Sequence, residues 1–305
     1  MFKKWELQQK QSLPLDLKIK MTERRIREFY EHMKGNVYVS FSGGKDSTVL
    51  LHMVRNLYPE VSTVFVNTGL EYPEIVNFVK TQKDITILKP KQSFFQVLQN
   101  EGYPVISKKV ARQIRDLQNP TEKNINTRNL FLTGIKRDGT KGSYLSKLPE
   151  KWKFLINAPF KISEKCCDIL KKNPIREYEK VTKTKGYVGL MASDSIQREN
   201  IYLRFGCNVF GKKARSRPIA FWTTKNIWEY IKQFNIPYCE IYNKGEHNTG
   251  CIFCMFGYHL EKPPNRFERM KVLHPQLYEY CMEKLELRKV LNYIQTRGKT
   301  EICPS

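Results

Sequence analysis

The chain reads as a doubly wound α/β fold: a mainly parallel sheet with helices on both faces, followed by a helical, cysteine-containing C-terminal part. Three observations predict it. Short apolar runs alternate with segments of helical apolar spacing through the first third of the chain. The first run ends in Ser40-Phe41-Ser42-Gly43-Gly44-Lys45-Asp46-Ser47-Thr48, directly ahead of a helical pattern. Beyond Gly250 the composition turns to cysteines, aromatic residues and helical spacing.

Taken in order, residues 22–33 place Ile26, Phe29, Tyr30 and Met33 on one helical face, and Gly35 stops the helix. Val37-Tyr38-Val39 is the first strand, and a helix runs over 49–57. The second strand, 62–67, ends at Thr68-Gly69, and a helix starts at Glu74 after Pro73. A third strand, 85–88, precedes a helix over 93–99, so strand and helix alternate at the short spacing of a parallel sheet. From 119 to 159 the periodicity degrades around Gly134, Gly139 and Gly142, which reads as a lid or an irregular surface connection. A helix over 167–182, interrupted near Pro174, leads to a fourth strand at 187–192. Residues 218–222 read as a further strand, 224–234 as an amphipathic helix and 276–295 as a final helix. The expected organisation is an N-terminal helical segment, 1–34, a nucleotide-binding α/β domain, 35–205, and a C-terminal segment, 206–305, that completes a cysteine site.

A strand that ends in small residues and feeds a helix presents free backbone N–H groups and the positive end of a helix dipole, which together hold phosphate. Gly43 and Gly44 let the backbone close on the ligand, Lys45 adds a point charge, Asp46 can hold Mg2+, and Ser47 can cap the helix or donate to phosphate. The order of residues is neither that of the Walker loop nor that of the alternating-glycine dinucleotide fingerprint. A glycine-rich turn is the plain structural alternative.

Subtracting 30 acidic from 53 basic residues leaves a net charge of +23, a field that attracts polyanions. Nucleic acid is the expected partner, against a basic surface with no such role. Lys108, Arg112 and Arg115 share one helical face opposite Val110, Ile114 and Leu117, and Lys212, Lys213, Arg215 and Arg217 form a second basic group. No eighteen-residue apolar stretch occurs, so a cytoplasmic protein without a membrane span is expected. A homo-oligomer stays open.

Eight cysteines without a secretion signal point to metal or redox chemistry before disulfides. Cys166-Cys167 heads a helix and Cys251-Ile252-Phe253-Cys254 lies flanked by glycines. Four thiolates from two loops suit a [4Fe-4S] cluster or zinc, and the adjacent pair favours the cluster, whose corners stand farther apart than the ligands of one zinc ion. A reactive dithiol or buried unligated thiols are the alternatives. Cys281 sits in an apolar stripe and reads as core, Cys207 as an exposed persulfide carrier or a bystander, Cys239 as uncommitted, and Cys303 as a tail thiol.

The nucleotide loop, Asn67-Thr68-Gly69, Met191-Ala192-Ser193-Asp194-Ser195 with Arg198, Arg217-Pro218-Ile219-Ala220-Phe221-Trp222 and the two cysteine pairs together resemble the phosphoadenosine phosphosulfate reductase family of the PP-loop ATP-pyrophosphatase superfamily, over about residues 35–257. The resemblance implies a Rossmann-like adenine nucleotide α-hydrolase sheet. It implies nucleotide contacts from Ser40, Ser42, Gly43, Gly44, Lys45, Asp46, Ser47, Thr68 and Gly69, with Lys45, Asp46 and Arg198 acting on the phosphates. It also implies a [4Fe-4S] cluster on Cys166, Cys167, Cys251 and Cys254. The plain reductases of the family tend to lose the loop lysine and carry a C-terminal Glu-Cys-Gly-Leu/Ile-His; this chain keeps Lys45, ends Glu301-Ile302-Cys303-Pro304-Ser305, and has Met191 where an arginine is frequent. The retained lysine makes it look more like the ATP pyrophosphatases of nucleic-acid sulfur modification. That resemblance implies ATP cleavage to AMP and pyrophosphate, sulfur transfer to DNA ahead of tRNA, and a cysteine desulfurase as donor. A sulfonucleotide reductase forming sulfite is the alternative, and a nucleic-acid-binding or assembly protein with a vestigial nucleotide site is a third.

Overall fold

The computed structural model describes residues 2–300. Its strands are β1 (Val37–Ser40), β2 (Ser62–Val66), β3 (Ile85–Leu88), β4 (Val105–Ile106), β5 (Lys185–Val188), β6 (Asn208–Val209), β7 (Arg215–Ser216) and β8 (Met255–Phe256). The chain divides into two compact units that interleave along the sequence. The first takes residues up to Asn67, Glu71–Lys89 and Asn173–Thr249; the second takes Thr68–Leu70, Pro90–Lys172 and the chain from Gly250 onward.

The first unit holds a six-stranded sheet in the order β3-β2-β1-β5-β7-β6, parallel except where β6 pairs with β7. β1 lies centrally, with Tyr38 opposite Ser62 of β2 and Val39 opposite Tyr187 of β5. From β1 the chain winds outward to β2 and β3, then returns to the other side at β5, so the order reverses between β1 and β5. In such sheets the crevice at the carboxyl ends of the reversing strands is where ligands bind. This is the Rossmann-like α/β architecture expected from the sequence.

The helix Leu15–His32 buries Lys18, Thr22, Ile26 and Phe29, one stripe at helical spacing. Its polar members are satisfied: Lys18 Nζ donates to Asn226 Oδ1 at 2.7 Å and to the Gln11 carbonyl at 2.6 Å, and Trp222 Nε1 donates to Thr22 Oγ1 at 2.9 Å. The helix begins seven residues earlier than the apolar pattern indicates, because its first turns bury little beyond Lys18. Three other expectations are corrected. Residues 218–222 form no strand: Ala220 N–H reaches the Arg217 carbonyl and Trp222 N–H the Ile219 carbonyl, giving consecutive turns. Pro218 has no N–H for a ladder, and the apolar run looked strand-like because Ile219, Ala220, Phe221 and Trp222 are all buried. The fourth strand is Lys185–Val188, not 187–192. The last helix is broken, as Pro275–Glu279, a wide π-type turn Tyr280–Lys284 and Leu287–Thr300.

In the second unit the short β4 and β8 pair in parallel, Val105 opposite Met255 and Ile106 opposite Phe256. The expected lid region contains the helix Ile125–Thr133 and a 3-10 helix Glu150–Asn157. The C-terminal helices give this unit the helical, cysteine-bearing character read from the sequence. No helix among the described residues is long and apolar enough to cross a membrane.

Trp222 is wholly buried and closes the first unit against Thr22. Trp222→Ala is expected to cost about 3–5 kcal/mol from the cavity and the orphaned hydroxyl, read as a lowered midpoint in urea unfolding.

Candidate functional site

The loop after β1 enters the helix Lys45–Leu57 at the sheet's reversal point. Gly189, just past β5, allows this: a Cβ there would stand 3.0 Å from Ser47 N. Within the loop, Ser47 Oγ donates to the Gly44 carbonyl at 2.8 Å and accepts from Ser42 N–H at 3.1 Å, and Thr48 Oγ1 donates to the same carbonyl at 3.1 Å. Lys45 N–H donates to the Tyr242 hydroxyl at 2.9 Å. Lys45 Nζ lies 3.4 Å from the His247 carbonyl and 5.5 Å from the centre of the Tyr242 ring. A Cβ on Gly44 would fall 2.6 Å from Thr249 Oγ1 and 3.2 Å from the Tyr242 hydroxyl, so only glycine fits beneath this segment. The donors that a phosphate would use are therefore held by the protein's own hydroxyls. Burial pushes Tyr242 ionisation up, which keeps that hydroxyl neutral.

Asp46 is half-buried beside Lys45, whose ammonium stands 3.4 Å from Oδ1, yet Oδ1 has no hydrogen-bond partner. Desolvation raises its pKa, with the Lys45 charge pulling the other way, and both Asp194 and Arg198 are felt there. An orphaned carboxylate oxygen beside a run of loop N–H donors would fit a hard cation such as Mg2+. Arg198 is ion-paired with Asp194. Ser40 to Ser47 and Arg198 thus lie in the first unit, whereas Thr68 and Gly69 belong to the second.

The cysteine pairs meet in the second unit because the stretch 103–106 accepts a neighbour at each of two places. Tyr103 bridges Ile162, Tyr103 N–H reaching the Lys161 carbonyl at 2.8 Å, which brings in Cys166 and Cys167. Gly102 makes that approach feasible, since a Cβ would lie 2.4 Å from the Lys161 carbonyl carbon. At Val105 and Ile106, β8 brings in Cys251 and Cys254, and Gly257 N–H reaches the Ile106 carbonyl at 2.8 Å. Cys166 and Cys167 Sγ are 4.0 Å apart. The Cys166 thiol, donating to its neighbour, is pushed up further by burial and by the other three sulfurs. Cys167 is pushed down by that hydrogen bond, with Lys108 and Lys171 adding positive charge. Burial raises Cys251 and Cys254, and Lys171 offsets part of this at both. Arg266 NH1 donates to the Cys254 carbonyl at 2.8 Å and pairs with Glu261, fixing the second cysteine loop.

Among the described residues no group of three or more His, Cys, Asp or Glu side chains closes tightly enough for a single metal ion. Four sulfurs within electrostatic reach of one another, with lysines beside them, are nonetheless a donor set whose chemistry fits a thiolate-bound cluster. Cys281 is core, as expected. Cys207 is not exposed: burial pushes its pKa up to about 11, which corrects the carrier reading. Cys303 lies outside the described residues. Of the basic groups, Arg115 is spent on Asp116 and Glu164, and Arg215 on Glu179. Tyr242, Thr249, Lys171 and Arg266 were missed in the sequence; only Lys171, one helical turn beyond Cys167, left a local signal.

The chain belongs to the phosphoadenosine phosphosulfate reductase domain family, which it matches over residues 36–148 and 147–256. It is 24% identical to the uncharacterized protein MJ0973 of Methanocaldococcus jannaschii over 86% of this chain, and it spans about half (51%) of that relative. It is 23% identical to an adenosine 5'-phosphosulfate reductase of Geobacillus sp., covering 83% of this chain and 87% of that one. It is also similar to the crystal structure of phosphoadenylyl-sulfate reductase from Candida auris, with a TM-score of 0.44 and 16% identity over 79% of this chain and 96% of that one.

Tyr242→Phe leaves the Lys45 N–H unpaired until a ligand arrives. It is expected to tighten pyrophosphate or ATP binding roughly 2- to 10-fold and to lower the unliganded melting temperature, both measurable by calorimetry. For Asp46, a folded-state pKa above its ordinary 3.8 means that the charged form burdens the fold. That burden is complete above the folded pKa and vanishes as pH falls below the unfolded value. Asp46→Asn is therefore expected to raise the melting temperature at pH 7, with the gain shrinking towards about pH 3.5.

Proposed function

We propose that the chain reduces a sulfonucleotide, adenylyl sulfate or its 3'-phosphorylated form, to sulfite and the corresponding adenosine phosphate. The observation that carries this reading is the gathered thiol site, where the stretch 103–106 brings Cys166 and Cys167 together with Cys251 and Cys254 in one unit. The family membership and the adenosine 5'-phosphosulfate reductases among its relatives support it. The loop amides and the dipole of the helix Lys45–Leu57 hold the nucleotide phosphate. A thiolate attacks the sulfur of the sulfo group; the S–O bond breaks, the nucleotide leaves with the electron pair of that bond, and a thiosulfonate forms. A dithiol reductant then attacks the cysteine sulfur, sulfite leaves with the electron pair of the S–S bond, and the reductant ends as a disulfide. The attacking thiol is one that no ligand role engages, and Cys303 is assigned to it from the sequence alone. A [4Fe-4S] cluster, held by Cys166, Cys167, Cys251 and Cys254, would supply a redox-capable centre and fix the two cysteine loops against each other.

A second reading is favoured by one specific feature, the Lys45 ammonium kept at the loop, where a sulfonucleotide has no outer phosphates to grip. In it ATP, with Mg2+ at Asp46, adenylates a nucleic-acid oxygen and releases pyrophosphate, and a sulfur nucleophile displaces AMP. DNA phosphorothioation stands ahead of tRNA thiolation, with a cysteine desulfurase as donor.

Anaerobic protein with a dithiol reductant is expected to release sulfite from adenylyl sulfate or its 3'-phosphate. Cys303→Ser is expected to lose that activity while iron and sulfide content are unchanged. Pyrophosphate released from ATP on adding DNA or tRNA, with no sulfite from either sulfonucleotide, overturns the first reading for the second.

A further inference from the structure

The second unit contains a cavity of about 510 Å3 that the proposed reaction does not use. Its floor is the β4–β8 ladder: Ile106 and Met255, both buried, face it, and Met255 directly follows Cys254. Its walls include Trp152, Tyr258 and His259, and Glu261 also lines it with its carboxylate held by Arg266. Trp152 and His259 meet edge to face with centroids 5.2 Å apart, and Gln295 Nε2 donates to the Tyr258 hydroxyl at 3.3 Å. Lys151 stands at the rim, its ammonium 5.3 Å from the centre of the Trp152 ring.

Aromatic and aliphatic walls with an amide and an imidazole among them suit a planar heteroaromatic ring with hydrogen-bonding edges. The volume lies within the range of small-ligand sites. The electrostatics of the rim choose between a free ring and one carried on a polyanion. Between residues 119 and 159, the segment that leads into this wall, eight lysines and arginines stand against three carboxylates. Lys136, Arg137 and Lys141 are exposed on a turn closed by the Ile135–Lys141 bridge, and Tyr144 beside it is 88% exposed. Exposed cations tracking a backbone, with aromatic rings for the bases, are the arrangement that binds single strands. A duplex keeps its base faces stacked and could not fill the cavity.

We infer that the second unit binds single-stranded nucleic acid, with one base stacked in the cavity on Trp152, a neighbouring phosphate on Lys151 and phosphates farther along the strand on the exposed cations of the 136–141 turn. The base would be seated over the residue next to Cys254. This goes beyond sulfonucleotide reduction and is read by binding alone, so it stands or falls independently of the reaction.

The test is fluorescence anisotropy with a labelled twelve-residue single-stranded DNA and the matching RNA, each against its own duplex, with AMP as competitor. Single strands are expected to bind more tightly than duplex. Trp152→Leu is expected to weaken them about tenfold, with Trp152→Phe restoring most of the affinity. Lys151→Glu with Lys141→Glu, both exposed and safe for folding, is expected to flatten the slope of log affinity against log salt by about 0.7 for each phosphate no longer neutralised. Three results overturn the inference: duplex binding as tight as single strand, affinity untouched by either Trp152→Leu or the lysine pair in folded protein, or full displacement by stoichiometric AMP. The last would make the cavity a mononucleotide site.

Discussion

A helix that starts at a sheet's reversal point leaves backbone N–H groups that must find partners, and this constraint organises the first unit. The Lys45 amide has no partner within its own helix, and Gly44 beneath it cannot carry a side chain. Tyr242, 197 residues away in sequence, supplies the missing oxygen. Around that bond the segment 240–249 is held in place: Lys244 pairs with Glu74, Trp228 packs edge-on against Tyr242, and Thr249 lies over Gly44. The same open donors that a phosphate would use thus also fold the chain back over the loop.

The second unit solves a different problem with the same economy of elements. Two residues of β4 and the tyrosine before them accept neighbours from two distant parts of the chain, and each neighbour delivers a cysteine pair. Short ladders of this kind contribute little stability by themselves. Their register is set instead by the buried Val105, Ile106 and Met255 and by the Arg266–Cys254 anchor. The hydrogen bond from Cys166, with Lys108 and Lys171 adding positive charge, then lowers Cys167 relative to its three partners.

What was legible in the sequence was local. Gly-Gly-Lys-Asp-Ser after a strand carries its chemistry in consecutive residues, so the loop, its helix and the alternation of strands and helices could be read directly. The pairing of Cys166-Cys167 with Cys251 and Cys254 was legible because cysteine is scarce and its spacing is informative. The apolar run 218–222 misled because burial, not strand pairing, selected its residues, and Cys207 misled because a glycine and a basic loop beside it suggested exposure. Tyr242 and Thr249 left no trace, since a tyrosine and a threonine far from the loop have no pattern that points to it. β4 and β8, two residues each, are too short to leave a period.

The Tyr242 hydroxyl already occupies the Lys45 amide, so a phosphate offered to that N–H would have to displace it. The hydroxyl then acts as a threshold within the first unit: a weakly accepting anion would leave Thr249 lying over Gly44, and only one that outcompetes a neutral hydroxyl would take its place.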